Sequence, residues 1–237
     1  MSLTISAISS PKRAVVDPQP KRWSVAQFQR LIDQEFFRAE RVELIRGVIR
    51  RVEPRPRQDP QWKWTRKEYY RLWKSGLIPD RHVQLIDGEI YLMLPQNPPH
   101  ASAISLVQQT LTSIFGKGYT ARVQLPLDLG LRSEPEPDVA MVRGGPRDFT
   151  QHHPKGAVLV VEVADATLAF DRKKKGLTYA QGGIADYWIV NLSDGCLEVY
   201  REPTRKGYKS RTVFEPDDVV IPLHLPSAKL KVSELIP

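Results

Sequence analysis

The chain has 237 residues, with 41% hydrophobic and 26% charged side chains, which suits one folded domain with a real core plus an appendage rather than a disordered or fibrous chain. Its net charge is +8, and residues 1–60 hold 12 Lys and Arg against 7 Asp and Glu, so most of the excess lies in the first quarter and suits a polyanionic partner. A single cysteine, Cys196, excludes an internal disulfide and a cysteine-rich metal site, and no apolar run approaches membrane-spanning length.

Residues 1–10 lack the basic leader and hydrophobic core of a signal peptide, so a cytoplasmic protein without membrane contact is expected. Segments 10–21 and 53–60, rich in proline and charge, predict linkers or extended arms. Between and beyond them the chain repeats itself once at an offset of 41 residues. Trp23-Ser24 matches Trp64-Thr65, Phe28 matches Tyr69, Arg30-Leu31 matches Arg71-Leu72, and the run from Val42 to Ile49 aligns with that from Val83 to Ile90. Each copy predicts a capped helix, with Ser24 or Thr65 as N-cap, followed by a hairpin, for which Asp87-Gly88 between apolar runs is the strongest turn signal. The expected organisation is a basic arm with a partially duplicated helix–hairpin module over residues 1–60, and a main domain over 61–237.

In the main domain a helix is expected from His100 to Phe115, stopped by Gly116-Lys117-Gly118. Strands are expected at 120–131, 138–143 and 157–164, a helix at 170–181, and strands at 186–192 and 196–201 around the turn Ser193-Asp194-Gly195. The tail from 208 to 237 reads as short strands and loops. This order argues an α/β fold with a mixed sheet.

Two acids stand against buried-strand patterns: Asp138 before Val139-Ala140-Met141-Val142, and Glu162 within Val158-Leu159-Val160-Val161-Glu162-Val163. Desolvating an unpaired carboxylate costs more than such a strand gains, so a divalent cation is a natural compensation if the two converge. Asp171-Arg172-Lys173-Lys174-Lys175 follows as a basic helical turn, in which Lys173 and Lys174 read as a solvated face. Tyr179, Tyr187 and Trp188 read as core packing, and His152-His153 lacks partners at zinc-ligand spacing.

Leu85-Ile86-Asp87-Gly88-Glu89-Ile90, Pro99-His100, Glu136-Pro137-Asp138-Val139-Ala140, Glu162-Val163-Ala164-Asp165, Asp171-Arg172 with Lys175 and Tyr179, and Asp186-Tyr187-Trp188-Ile189-Val190 occur in that order. In order and spacing they resemble the Uma-two-type restriction endonuclease family of the PD-(D/E)XK nuclease superfamily, over residues 62–203. The resemblance implies a restriction-endonuclease-like mixed sheet flanked by helices, and hydrolysis of DNA phosphodiesters with magnesium or manganese. It assigns Asp138 and Glu162 as the paired acids and the Val163 carbonyl as a further metal ligand. The superfamily's lysine position, two residues after the second acid, is Ala164 here, and Lys175 on the following helix is the candidate replacement. His100 is assigned to phosphate contact or proton transfer, with a helix-start residue held by local hydrogen bonds as the equal alternative. DNA and a second copy of the chain are the expected partners. The family commonly has a glutamate where this chain has Gln84, which leaves open a catalytically weakened nucleic-acid binder, or a scaffold that kept the fold without the chemistry.

Overall fold

The computed structural model describes residues 17–38, 40–52, 60–80 and 82–237. The expected arms at 10–21 and 53–60 lie mostly outside these residues, as do residues 1–10, where no signal peptide is expected. Where the first arm is described it is not a free linker. Gln19–Pro20 forms β1, antiparallel to a later strand.

Two helix–hairpin units follow. The first is α1 (Val25–Asp33), β2 (Val42–Ile45) and β3 (Val48–Arg51), and the second is α2 (Arg66–Lys74), β4 (Val83–Ile86) and β5 (Glu89–Leu92). Their bounds differ by the 41 residues of the sequence offset. Both helices start in a capping box, Ser24 with Gln27 and Thr65 with Glu68, which satisfies backbone N–H groups that an isolated helix start leaves unpaired. Both hairpins turn on two residues in the left-handed region, Arg46-Gly47 and Asp87-Gly88, the backbone a two-residue turn between right-twisted strands requires. β1 joins β5, so the second hairpin becomes a three-stranded sheet in the order β1-β5-β4.

The two units share one apolar cluster. Trp23, Leu31, Phe36, Phe37 and Ile49 of the first pack with Trp64, Tyr69, Leu72, Leu77, Val83 and Leu85 of the second, and the rings of Trp23 and Trp64 lie 5.4 Å apart. Truncating one buried Phe or Trp to alanine costs about 3–5 kcal/mol. A chain beginning at Gln61 loses several such groups at once and is expected to aggregate or to lose cooperative unfolding, as read by calorimetry. A monomeric truncation with an unchanged transition would show that the second unit stands alone.

The remainder builds a six-stranded sheet. It comprises α3 (Pro98–Phe115), β6 (Tyr119–Val123), β7 (Val139–Arg143) and β8 (Leu159–Ala164). A helical run follows as α4 (Leu168–Phe170), a π-helical turn (Asp171–Lys175) and α5 (Gly176–Gln181), and then β9 (Asp186–Asn191), β10 (Cys196–Thr204) and β11 (Gly207–Phe214). Two short strands, β12 (Val219–Val220) and β13 (Leu230–Lys231), pair near the end. The order is β11-β10-β9-β8-β7-β6, with β8 and β9 parallel and every other neighbour antiparallel. Alternation sorts the faces. Val139, Met141, Val161 and Val163 meet α3, whereas Ala140, Val142, Val160 and Ala164 meet Tyr179 of α5.

Several expectations shift in detail. α3 begins at Pro98 rather than His100, because Asn97 caps it and Pro98-Pro99 needs no N–H partners there. The strand expected over 120–131 stops at Val123, because Gln124 takes a positive φ of 50° and Pro126 follows. The tail is more regular than expected, since β11 pairs with β10 along nearly its whole length.

Candidate nuclease active site

The register of β7 and β8 explains why the two acids meet. Val139 pairs with Val161 and Ala140 with Val160, so continuing the ladder one step places Asp138 opposite Glu162. Both side chains fall on the α5 face by the alternation above. There the backbone N–H of Asp138 donates to Glu162 Oε2 at 3.3 Å, and the N–H of Val163 donates to Asp138 Oδ2 at 2.9 Å. The other Asp138 oxygen faces His100 Nε2 at 3.4 Å, and Gln124 Nε2 donates to it at 3.2 Å.

The helical run supplies the third side of the site. Lys175 Nζ lies 2.8 Å from Glu162 Oε2 and 3.6 Å from Asp171 Oδ1, and the Tyr179 hydroxyl donates to Glu162 Oε1 at 2.5 Å. Asp171 is held by the Thr167 hydroxyl at 2.6 Å, and its backbone carbonyl accepts from Tyr187 at 3.0 Å. Lys175 and Asp171 are one turn apart within the π-helical segment, a local widening that recurs at functional sites. Arg172 anchors that turn to the sheet by gripping the carboxylate of Glu198, which Arg211, Tyr200 and Asn191 also hold. Burial alone would raise the pKa of Glu198, but these partners hold it at about 2.

Asp138, Glu162 and Asp171 thus face a single ammonium, all four groups buried. Burial pushes Lys175 toward neutrality, but the three carboxylates outweigh it and keep the amine protonated. Burial likewise works to raise Asp138, yet His100, Lys175 and the Val163 N–H hold it below the usual carboxyl range. Glu162 goes the other way. Burial and the neighbouring Asp138 and Asp171 charges push it up to about 8, against the pull of Lys175. Glu136 is raised to about 7, by burial and by Glu134. His100 is raised, its burial being outweighed by Asp138.

The sign of the resulting pH dependence follows. Glu162 and Glu136 have folded pKa values above their ordinary 4.5, so the folded state holds protons that the unfolded chain has released. Their contribution is complete below about pH 4.5 and lost as pH rises through about 7 and about 8. The thermal midpoint should therefore fall between pH 5 and pH 8. A flat profile would contradict this charge arrangement.

These groups line a cleft of about 1000 Å³. Lining it are His100, Gln124, Glu136, Asp138, Glu162 and Lys175 from the sheet side, and Tyr70, Trp73, Gln84, Met93 and Leu94 from the second helix–hairpin unit. β4 is fastened beside the site through Glu134, whose N–H donates to the Leu85 carbonyl at 2.7 Å. Gln84 is buried there. Its amide nitrogen donates to the Glu136 carbonyl at 3.2 Å, and its oxygen has no hydrogen-bond partner among the described residues.

The family of this chain is decided by comparison. The model of Uma2, described as "Putative restriction endonuclease", matches residues 66–233. The chain belongs to the Uma2 family. A crystal structure from Anabaena variabilis, described as "a putative nuclease belonging to DUF820", shares the fold with a TM-score of 0.58. It is 18% identical, and the match covers 69% of this chain and 96% of that one. No curated protein matches. The first helix–hairpin unit lies outside the Uma2 match.

Every site residue expected from the sequence lines this one region: Asp138, Glu162 and Lys175 are in contact range, His100 touches Asp138, and Val163 holds Asp138 through its N–H. Sequence reasoning missed Asp171 as a third buried acid, and it missed the Tyr179 hydroxyl, whose ring is core but whose oxygen belongs to the site. It also misjudged Lys174, which is no solvated side chain. Lys174 Nζ lies 3.1 Å from Glu89 and pins the helical run to the Asp87-Gly88 hairpin, while Lys173 is exposed as expected. His153 faces Arg122 Nη2 at 3.5 Å.

Among the described residues no three His, Cys, Asp or Glu side chains form a metal-binding group, and no helix is long and apolar enough to cross a membrane. A magnesium site needs no such trio. One or two carboxylates suffice, with water and phosphate completing the shell.

Proposed function

We propose that this Uma2 protein is a divalent-cation-dependent endonuclease acting on DNA, and that Asp138, Glu162 and Lys175 carry its chemistry. The observation behind the reading is the convergence of three buried acids on one ammonium in the lining of an open cleft, a shortage of positive charge that drives Glu162 to hold a proton near neutral pH. Such a deficit of positive charge is what a divalent ion and its water-filled shell relieve. Asp138 and Glu162 would hold the ion. The Val163 carbonyl would supply a third oxygen, since a residue's N–H and C=O share one side of a strand and the Val163 N–H already faces Asp138. When bound, magnesium or manganese supplies charge to the scissile phosphate and acidifies a water.

The chain's own groups do the rest. Lys175 holds a proton on Nζ within the acid cluster and can orient a water or neutralise charge on the phosphate. Tyr179 and Asp171 fix the positions of Glu162 and Lys175. His100, kept protonated more readily by Asp138, is placed to contact a phosphate oxygen or to return a proton to the leaving oxygen. Residues 1–60, a basic arm and an internal copy of the helix–hairpin unit, precede a nuclease-like domain over 61–237 and complete its apolar core through Trp23, Leu31 and Phe37, although the family match starts at residue 66. A cytoplasmic site of action and a homodimer complete the proposal. Supercoiled plasmid and single-stranded DNA, incubated with magnesium, manganese or chelator, test the activity. Cleavage that survives chelation would reject the cation, and no cleavage with either metal would favour a binder that kept the fold.

Gln84 bears on that alternative. Its buried, unpartnered oxygen beside Glu136 marks a place where a carboxylate would add charge to the cation site. Gln84→Glu is expected to tighten manganese binding and raise cleavage. It should also lower the thermal midpoint in chelator, because a new acid meets Glu136 and loses the amide's hydrogen bond. Titration calorimetry with manganese reads the first effect. Unchanged affinity would make position 84 purely structural.

A further inference from the structure

The cleft is chemically two-sided. Its lining holds seven acidic side chains, from Asp80 to Asp171, against one lysine and three histidines, and two of the acids, Glu136 and Glu162, hold protons near neutral pH, which leaves a modest excess of negative charge. Backbone phosphates are repelled by such a surface except where Lys175 and a bound cation neutralise it. Affinity for a polyanion must then come largely from uncharged contact, and aromatic side chains of the same lining can provide it. Tyr70 and Trp73 lie one turn apart on α2, flanking the buried Tyr69, and are 36% and 45% exposed, with the Tyr70 hydroxyl donating to Glu134. Among the described residues the Trp73 indole makes no ring–ring or cation–π contact. Leu94, 40% exposed, continues the apolar surface.

An exposed indole and phenol next to a phosphate-cleaving corner match one kind of group, the π-face of a nucleobase. In an intact duplex those faces are covered by neighbouring bases, and only unpaired nucleotides offer them. We propose that Tyr70 and Trp73 form a stacking wall for unpaired bases, so that this site takes single-stranded nucleic acid, with the bases on the aromatic wall and one phosphate at Lys175. The inference rests on the nuclease reading for its choice of ligand.

The test compares three probes of the full-length protein in chelator: a short oligothymidylate, an abasic oligonucleotide with the same phosphates, and a blunt duplex. Stacking contributes about 1–3 kcal/mol per base, so the oligothymidylate should bind at least about tenfold more tightly than the abasic strand and quench tryptophan fluorescence. Trp73→Ala should remove both the preference and the quench, and Trp73→Phe should retain most of the preference. Equal affinity for the base-bearing and abasic strands, tighter binding of the duplex, or a preference that survives Trp73→Ala would overturn the proposal. The two readings fail separately. A protein that cuts plasmid with magnesium but ignores bases keeps the nuclease reading and loses the stacking wall. One that prefers bases but cuts nothing keeps the wall and loses the nuclease.

Discussion

Asp138→Asn should reduce cation-dependent cleavage to background while the protein remains folded. The substitution keeps the side-chain shape and the oxygen that accepts from Val163 N–H, but removes the charge facing His100 and the cation. Loss of a single electrostatic contact in a preorganised site costs about 10²–10³ in rate, and loss of a cation ligand is expected to exceed that. Stability should change little in chelator, because removing one of three crowded acids relieves repulsion while weakening the His100 contact. Glu162→Gln should be as inactive with little change of stability below pH 8, since Glu162 already holds a proton there and the amide oxygen can still accept from Lys175. Circular dichroism beside the cleavage assay separates the two effects. Residual activity above about a tenth of wild type in both variants would show that these acids do not hold the catalytic cation.

Lys175→Met should damage both activity and fold. Methionine matches the length of the buried stem but leaves Asp138, Glu162 and Asp171 facing one another without an ammonium. Removing one partner from a buried ion pair costs about 3–5 kcal/mol, a large share of the stability of a domain. The loss should grow with pH, because at low pH the three acids relieve the conflict by binding protons. The thermal midpoint of Lys175→Met should thus approach that of wild type near pH 5 and fall well below it at pH 8. Double substitution of Lys175 and Glu162 by methionine and glutamine should recover part of that stability without recovering cleavage. A single substitution that is stable at pH 8 would mean that the amine is not the counter-charge of the cluster.

How far the sequence leads depends on which physical signal each feature leaves in it. The 41-residue offset predicts both helix–hairpin units, because caps and two-residue turns are local chemistry that sequence carries directly. Asp138 and Glu162 are legible for a similar reason: a charge in a β-branched run demands a partner. What that partner is depends on pairing register and on a helix across the sheet, and neither leaves a local trace. Asp171, Lys175 and Tyr179 are spaced four apart, which puts Tyr179 on the Lys175 side of the helix, but spacing alone does not say that Asp171 is buried or that the Tyr179 hydroxyl, on a ring with core neighbours, reaches Glu162. The shared core of the two helix–hairpin units escapes for another reason. Periodicity shows which face of a helix is buried but not what covers it, and here Trp23 and Trp64 cover each other.

The most direct measurement of the central claim is cleavage of circular single-stranded DNA by the full-length protein, followed while magnesium is removed by chelator and then restored, with Asp138→Asn run in parallel. The account predicts linear product with magnesium, arrest in chelator, recovery when magnesium is returned, and no product from the variant. Product of equal yield from wild type and Asp138→Asn, or cleavage that continues in chelator, would contradict it.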